Sequence, residues 1–229
     1  MSGIEAFSPK GMLHEGWSAQ VDDYAIACGW TLEGQTFLVG DVAGGLYAFE
    51  GKSGKLIWQT KENHKGGLLA MSIHPDGKTF ATAGQDGGVY IWESKKGKST
   101  KNWELGKGWV EHIKWSPNGK FLAVVFTKYV YVFDEEGQEQ WRSEEHPSTV
   151  SAIAWSNSTE LATACYGQVT FFDVVRKKVN QKLEWRGSLV SMVLSPDGDI
   201  VACGSQDNSV HFWRRSTDQD SEMTGYSGK

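Results

Sequence analysis

The sequence repeats a pattern of about 40 residues five times, and this period restricts the architectures open to the chain. The first marker is a short turn of the HPDG or SPNG type, whose copies begin at Thr31, His74, Ser116, Ser156 and Ser195. The second marker is an aromatic residue that closes an apolar run, at Phe49, Trp92, Phe133, Phe172 and Trp213. Both series keep intervals of 39 to 43 residues, so chance is a poor explanation.

Each period contains short apolar runs separated by turns. The second period shows them most clearly, at residues 68–73, 80–83 and 88–92. Runs of four to six residues bounded by turn signals predict strands rather than helices. A fourth, more polar run carries its own tryptophan, at Trp58, Trp103, Trp141 and Trp185. Four strands in about 40 residues are the unit of an all-β propeller blade.

Composition and charge exclude several classes of function. The 27 Gly and 11 Trp against 5 Pro favour many turns and aromatic-rich strands. A net charge of −5 argues against wholesale binding to nucleic acid or anionic membranes. The longest purely apolar run, residues 121–126, is far too short for a membrane span. Three cysteines inside apolar runs indicate free thiols in a reducing compartment, so the predicted location is cytoplasmic.

The repeats resemble the WD40 family over residues 17 to 226, and the second period matches that family best. The resemblance implies a hydrogen-bonded chain across this blade, formed by His64, Thr82, Asp86 and Trp92. In such a chain each buried polar atom finds a partner. The recurrence of His64, and of His146 at the same place two blades later, favours structural roles over metal binding.

Other blades keep only parts of this pattern. In blade 4 Tyr166 stands where the aspartate belongs. In blade 5 Trp185 and Cys203 replace the histidine and the hydroxyl residue, although Asp207 is kept. We therefore expect one complete network among five blades.

The predicted organisation is a single β-propeller domain, residues 1–229, with five four-stranded blades. A fourth strand of a preceding or closing blade is expected in 1–17, because Trp17 lies 41 residues before Trp58. The five blades are expected at 18–62, 63–104, 105–143, 144–184 and 185–226, and the fourth strand of the last blade is expected at 221–226. A closed five-blade ring needs five fourth strands, and this chain offers one more. The count therefore predicts an incomplete, truncated ring of a larger propeller. The alternative is a true five-blade propeller with a frayed N-terminus.

The sequence offers no catalytic constellation. HExxH, CxxC, phosphate-loop and GxSxG patterns are missing, so we predict no catalytic residue, metal site or cofactor. Residues 46–49 followed by 54–58 also resemble a repeat of the quinoprotein (PQQ-type) propellers. The enzymatic alternative is therefore a PQQ-like propeller with ligand binding or dehydrogenase activity, which would need an acidic metal cluster that the sequence does not show.

The WD40 resemblance implies a non-catalytic scaffold that binds a protein or peptide through its top face. In that family, three series of positions form the rim of the top face that contacts the ligand. The resemblance assigns these positions here to Tyr24, Lys65, Gln85, Lys107, Trp109, Phe126, Thr149, Arg186 and Gln206, and also to Cys165. Three of these are cations, which favours an acidic segment as partner. The competing interpretation of Trp109 is that it packs under the loop 106–108. Open strand edges at the terminal blades additionally predict self-association.

Overall fold

The structure, a computed structural model, describes residues 16–61 and 63–225, which form an all-β protein of antiparallel sheets. The single helical segment in these ranges is a 3-10 turn, Leu32–Gly34. No helix in them is long and apolar enough to cross a membrane. Blade 1 comprises β1 (Ala25–Trp30), β2 (Thr36–Asp41), β3 (Leu46–Glu50) and β4 (Leu56–Thr60). Blade 2 comprises β5 (Leu68–Ile73), β6 (Thr79–Gly84), β7 (Gly88–Glu93) and β8 (Lys98–Glu104).

Blade 3 is also a four-stranded sheet, and blades 4 and 5 are joined in one sheet of six strands. Blade 3 comprises β9 (Val110–Trp115), β10 (Leu122–Phe126), β11 (Tyr129–Phe133) and β12 (Glu139–Arg142). The larger sheet comprises β13 (Ala152–Trp155), β14 (Glu160–Asp173), β15 (Lys178–Leu194), β16 (Ile200–Ser205), β17 (Val210–Arg214) and β18 (Gln219–Met223).

Two elements of the larger sheet each supply two blade strands. The first half of β14 pairs with β13 and the second half pairs with β15. The Thr163 hydroxyl lies 3.5 Å from the Thr170 carbonyl, and Gly167 has a φ of 85°, so β14 folds back at Gly167. Strand β15 likewise pairs with β14 through its first half and with β16 through its second. The sheet therefore contains eight strand segments, which are two blades of four.

The hydrophobic core lies between the blades. Side chains alternate along each strand, so every sheet has a leading face toward the next blade and a trailing face toward the preceding one. Leu38 and Leu46 on the leading face of blade 1 pack with Leu68 and Phe80 of blade 2. Equivalent clusters join blades 2 and 3, blades 3 and 4, and blades 4 and 5. Burial of these apolar side chains is the main contribution to the stability of the fold.

The inner strands lie side by side in chain order, from β1 through β5, β9 and β13 to the second half of β15. Within the described residues no comparable packing joins β1 to β15–β18. The five blades thus form an open row, whose end faces belong to blades 1 and 5.

The structure differs from the predicted segmentation in three places. Residues 1–15 of the expected preceding strand lie outside the described residues, and Trp17 itself is not in a strand. Strand β15 runs through the expected boundary at 184/185, because Tyr166 pairs with Ser188 and leaves only a three-residue link between the two halves. The last strand spans Gln219–Met223 rather than 221–226.

The fourth-strand tryptophans dock on the following blade, with one correction to the predicted series. The Trp58 N–H donates to the Ser94 carbonyl at 2.8 Å, beside Gly97. In blade 1, Trp58 lies opposite a particular residue of the third strand. In blade 4 the equivalent third-strand residue lies opposite Gln181 and not opposite Trp185. Gln181 accepts a hydrogen bond from the Arg215 side chain of blade 5 at 2.9 Å. Trp185 lies in the link within β15 and stacks on His211.

Candidate functional site: the top face

Each blade brings two chain segments together at one edge of the propeller, which we call the top face. These are the loop before the inner strand and the turn between the second and third strands. The backbone N–H of Val42 donates to the Tyr24 carbonyl at 2.8 Å, and that of Gln206 donates to the Ser188 carbonyl at 2.9 Å. In blade 4 the Tyr166 N–H donates to the Ser148 hydroxyl. The predicted rim positions therefore share one edge of the molecule.

Most of the predicted top-face residues are accessible. The exposed members are Tyr24, Lys65, Lys107, Trp109, Thr149, Arg186 and Gln206. Tyr24 is 83% exposed and Trp109 is 53% exposed, which is unusual for such large apolar rings. Gln85 and Phe126 are half-buried, and Cys165 is buried, so these positions offer much less surface.

Phe126 is the aromatic residue beneath the glycine loop before β9. A Cβ atom built on Gly108 would lie 3.0 Å from the Phe126 ring, and Gly106 also faces that ring. Gly108 has a φ of 156°, in a range that favours glycine. The loop can therefore lie directly on Phe126, while Trp109 projects into solvent. Packing under this loop does not account for Trp109.

The charges of the top face are mixed. Lys65, Lys107 and Arg186 place cations on blades 2, 3 and 5. On blade 1, Asp22 pairs with Lys61 at 2.7 Å, and this lysine lowers the pKa of the Asp22 carboxyl. The positive side of the face thus lies on blades 2, 3 and 5 and away from Asp22.

Sequence reasoning missed Tyr166 as a surface residue. It is 58% exposed at the turn of β14, where the WD40 pattern expects an aspartate. Tyr166 borders a groove of about 710 Å³ with a hydroxyl-rich lining from Thr149, Ser151 and Ser188. The residue type could have indicated this exposure. A tyrosine at the aspartate position cannot accept the hydrogen bonds of the buried network as a carboxylate does.

The four residues expected to form the blade 2 network are in direct contact. The His64 Nδ1–H donates to the Asp86 carboxylate at 3.0 Å, and Nε2 accepts from the Thr82 hydroxyl at 2.9 Å. The Trp92 N–H donates to the Thr82 oxygen at 2.8 Å. Asp86 also accepts from the backbone N–H groups of Lys65 and Gly88, each at 3.0 Å. This carboxylate therefore fixes the two top-face segments of blade 2 to each other.

The electrostatics of the network agree with a neutral imidazole. Burial lowers the pKa of His64, although Asp86 opposes this shift. Burial alone would raise the pKa of Asp86, but hydrogen bonds from His64 and Gly88 bring it below its usual value. Near neutral pH the pair is thus an aspartate hydrogen-bonded to a neutral histidine.

Blade 4 satisfies its histidine without an aspartate. His146 Nδ1 lies 3.0 Å from the Lys128 carbonyl, and Nε2 lies 3.0 Å from the Thr163 hydroxyl. The backbone of blade 3 thus replaces the missing carboxylate and links two blades.

Blade 5 has no such network. Asp207 is exposed and accepts from the Ser209 hydroxyl at 2.6 Å. His211 is buried between Trp185 and Trp213. Its ring nitrogens make no hydrogen bond in the described residues, although Nε2 lies 3.6 Å from the Asp220 carboxylate.

A second groove, of about 490 Å³, lies at the opposite edge between blades 1 and 2. Its lining includes Lys78 and Lys95, but Lys96 pairs with Glu93 at 3.0 Å, so charges of both signs alternate there. In the described parts of the chain, no three His, Cys, Asp or Glu side chains come together as ligands for a metal ion.

Comparison with known proteins agrees with this architecture. The family model for the WD domain, G-beta repeat (WD40), matches residues 55–93 and 179–214. Each match begins with the fourth strand of one blade and continues through the third strand of the next. Nothing in the comparisons favours a quinoprotein.

Two known proteins are similar to this chain, one over about half of its length and the other over most of it. Cell division cycle 20.1, cofactor of APC complex, from Arabidopsis thaliana is 30% identical over 125 residues, which are 52% of this chain and 27% of that protein. The chain thus spans about a quarter of the length of this curated relative. A chain in the crystal structure of the mitotic checkpoint complex superposes with a TM-score of 0.78 at 16% identity, covering 90% of this chain and 65% of that one. The second similarity shows the fold alone.

Proposed function

We propose that this chain, a WD40-repeat β-propeller, is a non-catalytic scaffold that binds a protein or peptide partner through its top face. The observation that carries the proposal is the exposure of Tyr24 and Trp109 on a face whose loops are held by backbone hydrogen bonds. Large aromatic rings on a rigid surface are typical energetic centres of protein interfaces. The Arabidopsis relative supports a protein partner, since it is named as a cofactor of a complex.

The preferred partner in this proposal is an acidic segment. Lys107 lies two residues from Trp109 in the same exposed loop, and Lys65 and Arg186 add positive charge on blades 2 and 5. Charges at an interface steer association and orient the partner more than they add affinity. An extended peptide with acidic residues around an apolar anchor therefore suits this face.

The proposal also includes a reducing, cytoplasmic location. Support comes from Cys165 and Cys203, which are buried free thiols without a disulfide partner, as expected where disulfides do not form. The exposed thiol of Cys28 agrees with this environment.

The test is selection of acidic peptides from a display library on the parent protein, followed by affinity measurements. Trp109→Ala should weaken binding by about thirtyfold, the equivalent of about 2 kcal/mol for an interface centre. Lys107→Glu should slow association, most strongly at low ionic strength. The matched control is Lys98→Glu, at the exposed first residue of β8, directly after the basic turn 94–97 of blade 2.

If Trp109→Ala and Lys107→Glu bind like the parent protein while Lys98→Glu does not, the basic turns are the binding surface and the proposal is wrong. Unchanged melting temperatures of all three variants are required for either conclusion.

A further inference from the structure

The groove beside Tyr166 contains an acidic side chain that the top-face proposal does not use. Glu111, near the start of β9, is half-buried in this groove of about 710 Å³. Its carboxylate makes no hydrogen bond and no ion pair with the described residues. Carboxylates that are partly removed from water are normally paired, so this one indicates a place for a cation from outside the chain.

The other titratable group of the groove does not supply that cation. His112 lines the groove beside Glu111, and burial lowers the pKa of its imidazole, although Glu111 and a backbone group oppose the shift. The imidazole is therefore neutral near neutral pH. The cations Lys65, Lys107 and Arg186 lie in exposed loops outside the lining of the groove. The groove thus holds one carboxylate within a positively charged rim.

The remaining lining of the groove suits a long side chain that ends in a planar cation. The hydroxyl groups of Thr149 and Ser188 line the groove and make no hydrogen bond with the described residues. Tyr166 adds an aromatic ring that is 58% exposed, and Val190 adds an aliphatic side chain that is 52% exposed. Hydroxyl oxygens accept hydrogen bonds from a cation, an aromatic face attracts it, and an aliphatic wall contacts its methylene stem.

The walls of the groove are held in place by the chain itself. The Ser151 hydroxyl of blade 4 donates to the Leu189 carbonyl of blade 5. The Tyr166 N–H donates to the Ser148 hydroxyl at 2.9 Å, which fixes the turn that carries the aromatic ring. Groups that are positioned before a ligand arrives lose less conformational entropy on binding.

We infer that this groove receives an arginine side chain of the protein partner, with its guanidinium group directed at Glu111. A guanidinium has five N–H donors in one plane, so it can bond to the carboxylate and to neighbouring hydroxyl groups together. Its face can also stack on the Tyr166 ring. A lysine ammonium is a compact point charge with three donors, and it uses this combination of acceptors and ring less well.

The inference rests on the proposed function, because the groove opens on the top face, and it refines the nature of the partner. Acidic residues of the partner would meet Lys107 and Arg186 on the rim, while one arginine enters the groove. The partner segment is then an acidic peptide that contains an arginine, rather than a purely acidic one.

The first experiment uses methylguanidinium chloride as a probe of the groove, with neutral methylurea as the matched probe. In the parent protein, methylguanidinium should shift the amide NMR signals of Glu111, Thr149 and Ser188 in a saturable way, whereas methylurea should not. Glu111→Gln should abolish these shifts, because it replaces the carboxylate by a neutral amide of the same shape. Glu104→Gln, at the exposed end of β8, is the matched control and should keep them.

The second experiment measures the affinity of short acidic peptide pools that differ only at one central residue, which is arginine, citrulline or lysine. The parent protein and Glu104→Gln should bind the arginine pool about tenfold more tightly than the citrulline pool, the equivalent of one hydrogen bond between charged groups. In Glu111→Gln this preference should disappear. Tyr166→Ala should reduce the preference for arginine over lysine, because it removes the ring on which the guanidinium stacks.

Three results would overturn the inference. The first is methylguanidinium that leaves the three amide signals of the parent protein unchanged. The second is a parent protein that binds the arginine and citrulline pools equally, or a preference for arginine that Glu111→Gln retains. The third is a lysine pool that binds most tightly, which would contradict the assignment to arginine. Equal melting temperatures of the parent protein and Glu111→Gln show that the substitution acts on the groove and not on folding.

Failure of the top-face proposal has a different signature. If methylguanidinium binds beside Glu111 but no acidic pool binds, the acidic partner is wrong and the arginine site stands. If the pools bind and lose affinity in Trp109→Ala, but show no preference for arginine, the proposed function stands and the arginine site is wrong.

Discussion

The indole N–H of Trp17 donates a hydrogen bond to the carbonyl of Gly51 at 2.9 Å. The same contact recurs one blade later, where Trp58 reaches the carbonyl of Ser94. In both cases a glycine of the receiving turn, Gly54 or Gly97, leaves room for the ring. Trp17 therefore occupies the position of a fourth-strand residue relative to blade 1, although it is not itself in a strand.

Removal of the Trp17 ring should destabilise the protein. Trp17→Ala removes a half-buried indole from the aromatic cluster on blade 1, so we expect a loss of about 2 kcal/mol, below the cost for a fully buried tryptophan. Trp109→Ala is the matched control and should cost less than about 0.5 kcal/mol, because its ring is exposed and contacts no other ring of the described residues. Urea denaturation of both variants measures the difference, and equal losses would contradict the docking role of Trp17.

Asp86 should contribute more to stability than its counterpart in blade 5. Asp86→Ala leaves the His64 Nδ1–H and two backbone N–H groups without their acceptor, so we expect a loss of about 1–3 kcal/mol. Asp207→Ala is the control and should cost about 0.5 kcal/mol, since Asp207 is exposed and caps only a turn. The measurement is the unfolding free energy of each variant at neutral pH; a near-zero effect for Asp86→Ala would rule out the network as a stabilising element.

The loss caused by Asp86→Ala should also depend on pH. The pKa of Asp86 is lowered in the folded state, so the stability that this carboxylate contributes is complete above its unfolded pKa. It is lost as the pH falls through the folded value. The difference between the parent protein and Asp86→Ala should therefore shrink in acid, and a constant difference down to pH 3 would contradict this assignment.

The sequence was sufficient to predict the blades and the blade 2 network, because both are encoded by side chains at fixed spacing. Strand β5 has the predicted bounds 68–73. The partner of His146 could not be predicted, since the Lys128 carbonyl is a backbone acceptor that leaves no mark in the sequence.

The errors concern loop geometry and strand register. Trp185 was expected in a fourth strand like Trp58, but it lies in the short link within β15, and Gln181 takes the corresponding position. Phe126 was expected on the rim, yet the glycine loop before β9 lies over it. A pattern of turns and aromatic residues does not encode how far a loop folds over its neighbours.

The thiols should differ sharply in reactivity. Burial raises the pKa of Cys203 to about 12 and also raises that of Cys165, whereas Cys28 is exposed. Because the thiolate is the reactive form, a maleimide should modify one cysteine in the folded protein and all three after denaturation. Mass spectrometry of the labelled peptides identifies the sites, and rapid labelling of Cys203 in the folded state would show that blade 5 opens easily.

Replacement of His211 should stabilise the protein. Its imidazole is buried between two indole rings without a hydrogen bond, and the Asp220 carboxylate lies 3.6 Å from Nε2, beyond hydrogen-bond distance. His211→Phe therefore removes an unsatisfied polar group and keeps the aromatic stacking. We expect a gain of about 1–3 kcal/mol at neutral pH. The matched control is His146→Phe. It should destabilise the protein, because the two groups that hydrogen-bond to the His146 nitrogens would lose their partner.

The pH dependence gives an independent measurement of the same residue. Burial lowers the pKa of His211 from its ordinary value of 6.5, against the opposing charges of Asp220, Glu222 and Asp207. Below pH 6.5 the unfolded chain therefore binds a proton that the folded chain does not, and stability falls as the pH decreases. His211→Phe should make this decline shallower, with the remainder due to other buried histidines such as His64 and His146. Melting temperatures between pH 7.5 and 5 test the expectation; a parallel decline in the parent protein and His211→Phe would mean that His211 is as easily protonated in the folded state as in the unfolded one.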